Sequence, residues 1–310
     1  MNHESQLKKV LEQGGFGVTA ECGPPKGADA QVILKKAELL KDAVDAVNVT
    51  DNQTAIVRMS SLAACALLKG AGLDPILQMV VRDRNRIALQ SDILGASALG
   101  IRNVLCLSGD HQCFGNQAEA LGVFDLDSIQ LVQTVKGMRD QGTLVGGEIL
   151  DPAPDIFIGA AANPFADPLE FRVTRLAKKI KAGADFIQTQ CIYNMDRFES
   201  WLSMAADRGL TEQTYLLGGV TPLKSAGMAR YMRDRVSGMD IPDDVIKRME
   251  GTPKEKQREE GIQICVETIL RLKELSAVKG VHIMAIEWES AVGEIAEQAG
   301  LLPRPVFDKE

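Results

Sequence analysis

Histidine is scarce in this chain, with three in 310 residues: His3, His111 and His282. Structural and catalytic zinc need several Cys, His or carboxylate ligands at close spacing, so no metal centre is expected. The six cysteines (Cys22, Cys65, Cys106, Cys113, Cys191, Cys265) are scattered with no C-x-x-C pair. In a reducing compartment they are expected to be free thiols, mostly core filler. No apolar run reaches the roughly 18 residues that a membrane-spanning helix requires, so no membrane insertion is expected. The first residues, Met1-Asn2-His3-Glu4-Ser5, lack the charged and then apolar segments of a secretory signal, and the expected location is cytoplasmic. Positive charge is not in excess either. A net charge of −7 argues against nucleic acid and acidic membranes as partners.

What is present is a globular composition, 45% hydrophobic and 25% charged. Short apolar strands and helically spaced segments alternate along its length. Strands are predicted at residues 16–21, 46–50, 74–80, 103–107, 157–161, 186–190, 215–219 and 280–286. Helices are predicted at 30–40, 58–69, 86–99, 126–141, 168–181 (with Pro168 in its first turn), 195–206, 223–236 and 287–299, after an opening helix at 4–13. An extra helical insertion, 242–249 and 256–275, falls between strands seven and eight, and 111–123 reads as loop. Unbroken βα alternation implies a parallel sheet covered by helices, and eight units favour closure as a single-domain (β/α)8 TIM barrel, an α/β fold over residues 1–310. An open dinucleotide-binding sheet would want G-x-G-x-x-G after its first strand. This chain has Cys22-Gly23-Pro24-Pro25 there.

Active sites of such barrels form at the C-terminal ends of the strands. Strand one ends in Glu21, held by the stiff Cys22-Gly23-Pro24-Pro25 turn; it is either a structural carboxylate capping amides or a catalytic acid. Strand two ends in Thr50-Asp51-Asn52-Gln53, strand three carries Gln78 ahead of Arg82-Asp83-Arg84, and strand four ends in Ser108-Gly109-Asp110. Strand five offers Asn163, strand six Gln188 and Gln190, strand seven Thr221, and strand eight Glu287 and Trp288. These ends hold no Ser–His pair, no Schiff-base lysine and no metal set. Amides with a few acids suit a heterocyclic ligand with many hydrogen-bonding edges, and proton transfer to it needs one acid with a raised pKa. Gln188 and Gln190 are expected to divide between the two faces of their strand, Gln190 toward the barrel. His282 is expected as a hydrogen-bonded interior residue, Cys106 and Cys191 as buried thiols.

These residues resemble the methylenetetrahydrofolate reductase family. The points of likeness are Glu-x-x-Pro-Pro after strand one, Val-Asn-Val-Thr at strand two, Leu-Ser-Gly-Asp after strand four, Ala-Gly-Ala-Asp leading to Gln-Thr-Gln on strand six, and Gly-Gly-Val-Thr-Pro after strand seven. They fall in order from about Gly17 to Gly300. The runs Asp51-Asn52-Gln53-Thr54 and Arg82-Asp83-Arg84-Asn85 are similar to the short form of anaerobes that use the Wood–Ljungdahl route.

The resemblance implies a flavin-dependent reduction of 5,10-methylenetetrahydrofolate to 5-methyltetrahydrofolate, by ping-pong hydride transfer. FAD is the implied cofactor, with FMN as the alternative. NAD(P)H is the implied donor. Glu21 would be the catalytic acid that protonates N10, and Asp110 would bind the pterin, support the cationic intermediate and lie near the flavin. Gln190 would contact folate, as would Leu223, which stands where relatives have a phenylalanine that also holds nicotinamide. Thr50, Gln78, Leu107, Ser108, Gly109, Asp110 and Asn163 match flavin contacts; Gln78 replaces a histidine and Asn163 an aromatic. Arg175, Lys178 and Lys179 match a clamp for the flavin's phosphates, against the plainer reading of a solvated helix face. One alternative is a subunit fed electrons by a partner protein. Another is a non-redox pterin-binding barrel that transfers methyl groups to a corrinoid protein. A homo-oligomer or a member of a complex is expected.

Overall fold

In the computed structural model, which describes residues 4–307, β1 (Gly17–Cys22) pairs with β2 (Ala46–Val49) on one side and β8 (Val278–Ile283) on the other. Met1, Asn2 and His3, and residues 308–310 of the single-domain reading, lie outside the described residues. Between β2 and β8 follow β3 (Pro75–Val80), β4 (Asn103–Leu107), β5 (Phe157–Ala162), β6 (Phe186–Cys191) and β7 (Tyr215–Val220), in chain order and parallel throughout. The expected (β/α)8 barrel is the observed fold.

After α1 (Gln6–Glu12), the barrel is wrapped by α2 (Ala30–Leu40), α3 (Ser61–Gly70), α4 (Arg86–Ala98), α5 (Ser128–Asp140), α6 (Leu169–Ala182) and α7 (Met195–Ala206). The expected insertion appears as α9 (Asp243–Gly251) and α10 (Gln257–Glu274), following α8 (Ala226–Arg235) and preceding β8, and α11 (Ala291–Gln298) ends the sequence of helices. Side chains define many helix starts. Asp29, Ser60, Asn85, Asn194 and Ser225 each accept a first-turn backbone N–H, and Asp127 forms a full capping box with Gln130. Pro168 is the residue before α6, with extended backbone, rather than a member of its first turn. No helix among the described residues is long and apolar enough to cross a membrane.

The strands are buried on both faces, as a helix-covered parallel sheet requires. Their outward residues, such as Val18, Val47 and Ile187, pack under the helices. Their inward residues form layers. The lowest is apolar: Ile76, Leu105, Phe157, Phe186 and Leu217, closed from beneath by Leu7 and Leu11 of α1. Phe157 and Phe186 stack at 5.1 Å, and Gly159 makes room for them, since a Cβ there would lie 2.2 Å from Phe186 Cζ.

Above this layer the barrel turns polar. Asn48 Nδ2 donates to Gln188 Oε1 at 2.6 Å, Gln188 Nε2 donates to Asn48 Oδ1 and to Thr19 Oγ1 at 3.1 Å, and Thr19 Oγ1 meets His282 Nδ1 at 3.0 Å. All four side chains are buried, and each finds a partner, which removes most of the cost of placing amides in a core. Burial pushes the His282 imidazole down to about 3, so it is neutral, the interior residue that the sequence suggested.

Two boundaries differ from expectation in ways that matter for the site. β8 runs Val278–Ile283 rather than 280–286; it already pairs with Leu216 of β7 at Val278, and the register then shifts so that Gly280 faces Leu217. The apolar run Met284-Ala285-Ile286 belongs to the strand's exit, and α11 starts at Ala291 instead of residue 287. Consequently Glu287 is exposed and Glu289 is the buried acid of this segment.

Candidate active site

A cavity of about 350 Å³ opens above the polar layer, within the ~300–1,000 Å³ usual for small-molecule sites. Its floor includes Gln188 and His282, and Glu21, Gln78 and Gln190 stand in its wall. Among the described residues, Glu21 is the only carboxylate in the lining. At the other extreme Arg172, Arg175 and Lys179, all from α6, enter the cavity together with Ser108 and Ser128, whose hydroxyls meet at 3.1 Å. Ser128 opens α5, so the positive end of that helix dipole adds to the three cations. Lys179 also donates to the Ala161 carbonyl. Burial, with Arg175 beside it, pushes the Lys179 ammonium down to about 8. A bound anion would reverse that cost. Three cations, hydroxyls and a helix N-terminus at one end, and amides along the walls, suit a ligand with a phosphate and a flat polar heterocycle.

Glu21 is the next-to-last residue of β1, with 8% of its surface exposed. Burial is the main reason its carboxyl is pushed up from 4.5 to about 7; Gln53, whose Nε2 lies 3.5 Å from Glu21 Oε1, pulls it down, Glu289 pushes it up and Lys36 pulls it down. A carboxyl poised near neutrality can hold a proton and release it during turnover. The turn behind it is fastened at three successive carbonyls. Lys36 Nζ donates to Gly23 O at 3.0 Å, Arg58 Nη1 to Pro24 O at 3.0 Å, and Met59 N to Pro25 O at 2.9 Å.

The structure brings eight of the expected site residues to the cavity: Glu21, Gln78, Gln190, Leu107, Ser108, Asn163, Arg175 and Lys179. Gln188 joins them. The two glutamines were expected on opposite faces, but residues two apart in a strand point the same way, so Gln188 lies in the buried network while Gln190 faces the same cavity above it.

Five expected residues lie outside the cavity lining. Lys178 is exposed on α6. Leu223 is fully buried in a second apolar cluster with Ile246, Met249 and Ile264, its backbone pressed against Gly261, where a Cβ would come within 1.8 Å of the Leu223 carbonyl oxygen. Thr50 is buried beside Gly23, and its hydroxyl has no hydrogen-bond partner among the described residues. Gly109 is exposed with φ +84°, and a side chain there would crowd Val80 and Arg82 at 3.1–3.3 Å. Asp110 is exposed as well, with its carboxylate accepting from Thr54 N at 2.9 Å and its carbonyl from Arg82 Nη1 at 2.9 Å.

Sequence reasoning missed Arg172, Ser128, Lys36 and Glu289. Arg172 is three residues before Arg175 on the same helix face, and that spacing was readable. Ser128 follows a long irregular excursion from β4, and nothing in the sequence assigns its direction. Lys36 resembles any surface lysine of α2. Glu289 was hidden by the misplaced end of β8.

A parallel barrel with an acid at the end of β1 and a cationic end between β4 and β6 defines a ligand-binding TIM barrel. The family model described as methylenetetrahydrofolate reductase matches residues 6–300, and the chain belongs to that family. A probable methylenetetrahydrofolate reductase (NADPH) of Caenorhabditis elegans is 23% identical over 251 residues, which cover 79% of this chain and 35% of that protein. Methylenetetrahydrofolate reductase 1 of Schizosaccharomyces pombe is 25% identical over 245 residues, 76% of this chain and 38% of that protein. The chain thus spans little more than a third of the length of these relatives. Among solved structures, a Clostridium thermocellum protein described as binding two copies of 5-methyl-5,6,7,8-tetrahydrofolic acid superposes with a TM-score of 0.65 at 15% identity, covering 96% of this chain and 99% of that one. A 2,3-dimethylmalate lyase shares the fold more distantly, with a TM-score of 0.51 at 13% identity over 98% of this chain and 88% of that one. At these identities the structural likenesses speak for the fold.

Proposed function

We propose that this chain binds a flavin and reduces 5,10-methylenetetrahydrofolate to 5-methyltetrahydrofolate, with Glu21 as the acid. The observation that carries the proposal is Glu21 itself, the one carboxylate of the cavity among the described residues, buried and raised to about 7. Family membership and the folate bound by the Clostridium thermocellum protein support the choice of substrate.

The residues present fit a flavin. Arg172, Arg175 and Lys179 would hold its phosphate, assisted by Ser108 and Ser128, and Gln78 and Asn163 offer hydrogen bonds to its polar edges. When bound and reduced, a flavin supplies hydride. Glu21 holds the proton for N10, whose bond to the one-carbon unit breaks as the ring opens. The carbon then accepts hydride and becomes the methyl group, and Glu21 is left ionised until it recovers a proton from solvent. Gln190 orients the pterin from the same wall, and the His282–Thr19–Gln188–Asn48 layer fixes the floor. Asp110 would join the site only on leaving Thr54. NAD(P)H is the donor in this reading. The alternative of a partner protein as donor is favoured by Leu223, which lies buried away from the cavity that nicotinamide would enter.

The absorbance spectrum of the purified protein is the first test. A flavin spectrum that bleaches anaerobically with NADH or NADPH supports the whole reading. Bleaching only when a partner is added supports the second donor. A colourless protein that binds folate and cannot be loaded with FAD or FMN contradicts the reductase and points to the methyl-transfer barrel.

A further inference from the structure

Lys36 and Glu289 form an ion pair at 2.5 Å immediately behind Glu21, with side chains 19% and 7% exposed. They come from distant parts of the chain, Lys36 from the middle of α2 and Glu289 from the exit of β8. The same Lys36 ammonium donates to the Gly23 carbonyl two residues beyond Glu21. The pair is therefore joined to the backbone that carries the acid. Removing two charges from water is costly, and a hydrophobic pair would often be as stable in such a place, so an ion pair here calls for a role other than stability.

The other titratable groups around Glu21 are uncharged near neutral pH. Cys22 follows it in β1 and Cys191 lies on β6; burial pushes both thiols up to about 12. His282, on β8 in the same cavity, is pushed down to about 3 by burial. Gln53, from the exit of β2, is neutral. Arg58 holds the far side of the turn through Pro24 O, and the cations of α6 lie at the opposite end of the cavity. Lys36 and Glu289 are the charges that act on the Glu21 carboxyl, and they do so with opposite sign.

We propose that the Lys36–Glu289 pair is a positioning element for Glu21: Lys36 fixes the β1 exit through the Gly23 carbonyl, and the balanced pair sets the local field in which the Glu21 carboxyl holds its proton. The inference rests on the reading of Glu21 as an acid, and it assigns a task to two residues that need not touch any ligand. It also has a signature that a purely structural pair lacks. Loss of the cation leaves an anion beside Glu21, loss of the anion leaves a cation, and the two changes push the carboxyl in opposite directions.

The test is an infrared titration of the Glu21 carboxyl in the full chain, isolated by subtracting the spectrum of Glu21→Gln. Lys36→Met is expected to raise the midpoint and Glu289→Gln to lower it, each by about half a unit or more. The double variant should return it close to wild type, and Lys36→Arg should preserve it. Both single variants shifting the midpoint the same way, or neither shifting it, overturns the proposal. Should Lys36→Met fail to fold with Glu289 left unpaired, Glu289→Gln decides alone: a lowered midpoint supports the proposal and an unchanged one overturns it. The reductase reading fails by a different result, full folate turnover by Glu21→Gln, so the two failures are separable.

Discussion

The Asp110 carboxylate accepts the backbone N–H of Thr54 at 2.9 Å, and Thr54 has a left-handed backbone with φ 56°. Asn52 and Ala55 share that region, at φ 45° and 55°, so Asp110 fastens a strained turn at the exit of β2. Its own carbonyl is held by Arg82, which also donates to Asn52 O. Asp110→Ala should free the Thr54 amide and accelerate its hydrogen exchange by about fivefold, equivalent to the ~1 kcal/mol of one hydrogen bond. Asp110→Asn keeps an acceptor. If the carboxylate also serves the substrate, Asn keeps the slow exchange and loses folate turnover; if Asp110 only fastens the turn, Asn retains both.

Glu21 makes stability depend on pH. Its carboxyl titrates at about 7 in the fold against 4.5 as its ordinary value, so between those pH values the folded state binds more protons than the unfolded one. Stability from this group is therefore present below about 4.5 and falls as pH rises through about 7. Glu21→Gln should be more stable than wild type at pH 8–9 by on the order of 1–3 kcal/mol, with the difference vanishing below pH ~4.5. Chemical denaturation at several pH values checks this, and an equal gap at all pH values would show that Glu21 does not titrate in this way.

The cationic end of the cavity gives a contrast within one helix. Arg175→Ala and Lys179→Ala should each weaken FMN binding by about 10- to 100-fold, as expected for a charge-assisted contact to phosphate. Lys178→Ala, at an exposed position on the same helix, should leave it within about twofold. Fluorescence titration with FMN measures all three. Equal effects from Lys178 and Lys179 would show that only the general charge of α6 matters.

The polar layer under the cavity is expected to behave as one unit. Asn48→Leu and Gln188→Leu each leave a buried amide short of a partner and should cost about 1–3 kcal/mol. The double variant should cost less than their sum, because the second change removes the group that the first left unpaired. Urea denaturation of the three variants measures the coupling, and strict additivity would contradict a shared network.

The legible parts of this fold were those governed by local chemistry. Strand–helix alternation, the Asp127 cap and the Pro24-Pro25 turn are written in a few adjacent residues. Glu21 was legible as an acid ahead of a stiff turn, while the residues alone left its task open between capping amides and donating a proton. What sequence could not supply was long-range register. The early start of β8 comes with an irregular register against β7, and the acid buried after the strand is Glu289, with Glu287 exposed. The partnership of Lys36 with Glu289 spans 253 positions. The matching runs Asp51-Asn52-Gln53-Thr54 and Arg82-Asp83-Arg84-Asn85 proved to be joined: buried Asp51 accepts from Arg84 Nη1 at 2.6 Å and from Val80 N at 2.9 Å. They build the rim between β2 and β3, a role visible only once both strands are placed.

The most direct test of the account is the reoxidation of the bound flavin by 5,10-methylenetetrahydrofolate in Glu21→Gln, followed anaerobically by stopped-flow absorbance after reduction with dithionite. The account predicts normal flavin binding and reduction, with reoxidation by folate slowed about 10²- to 10⁴-fold. In the wild-type chain the same rate, measured at subsaturating folate, should fall as pH rises through about 7, where Glu21 loses its proton. Reoxidation of Glu21→Gln at the wild-type rate would contradict the assignment of Glu21 as the acid.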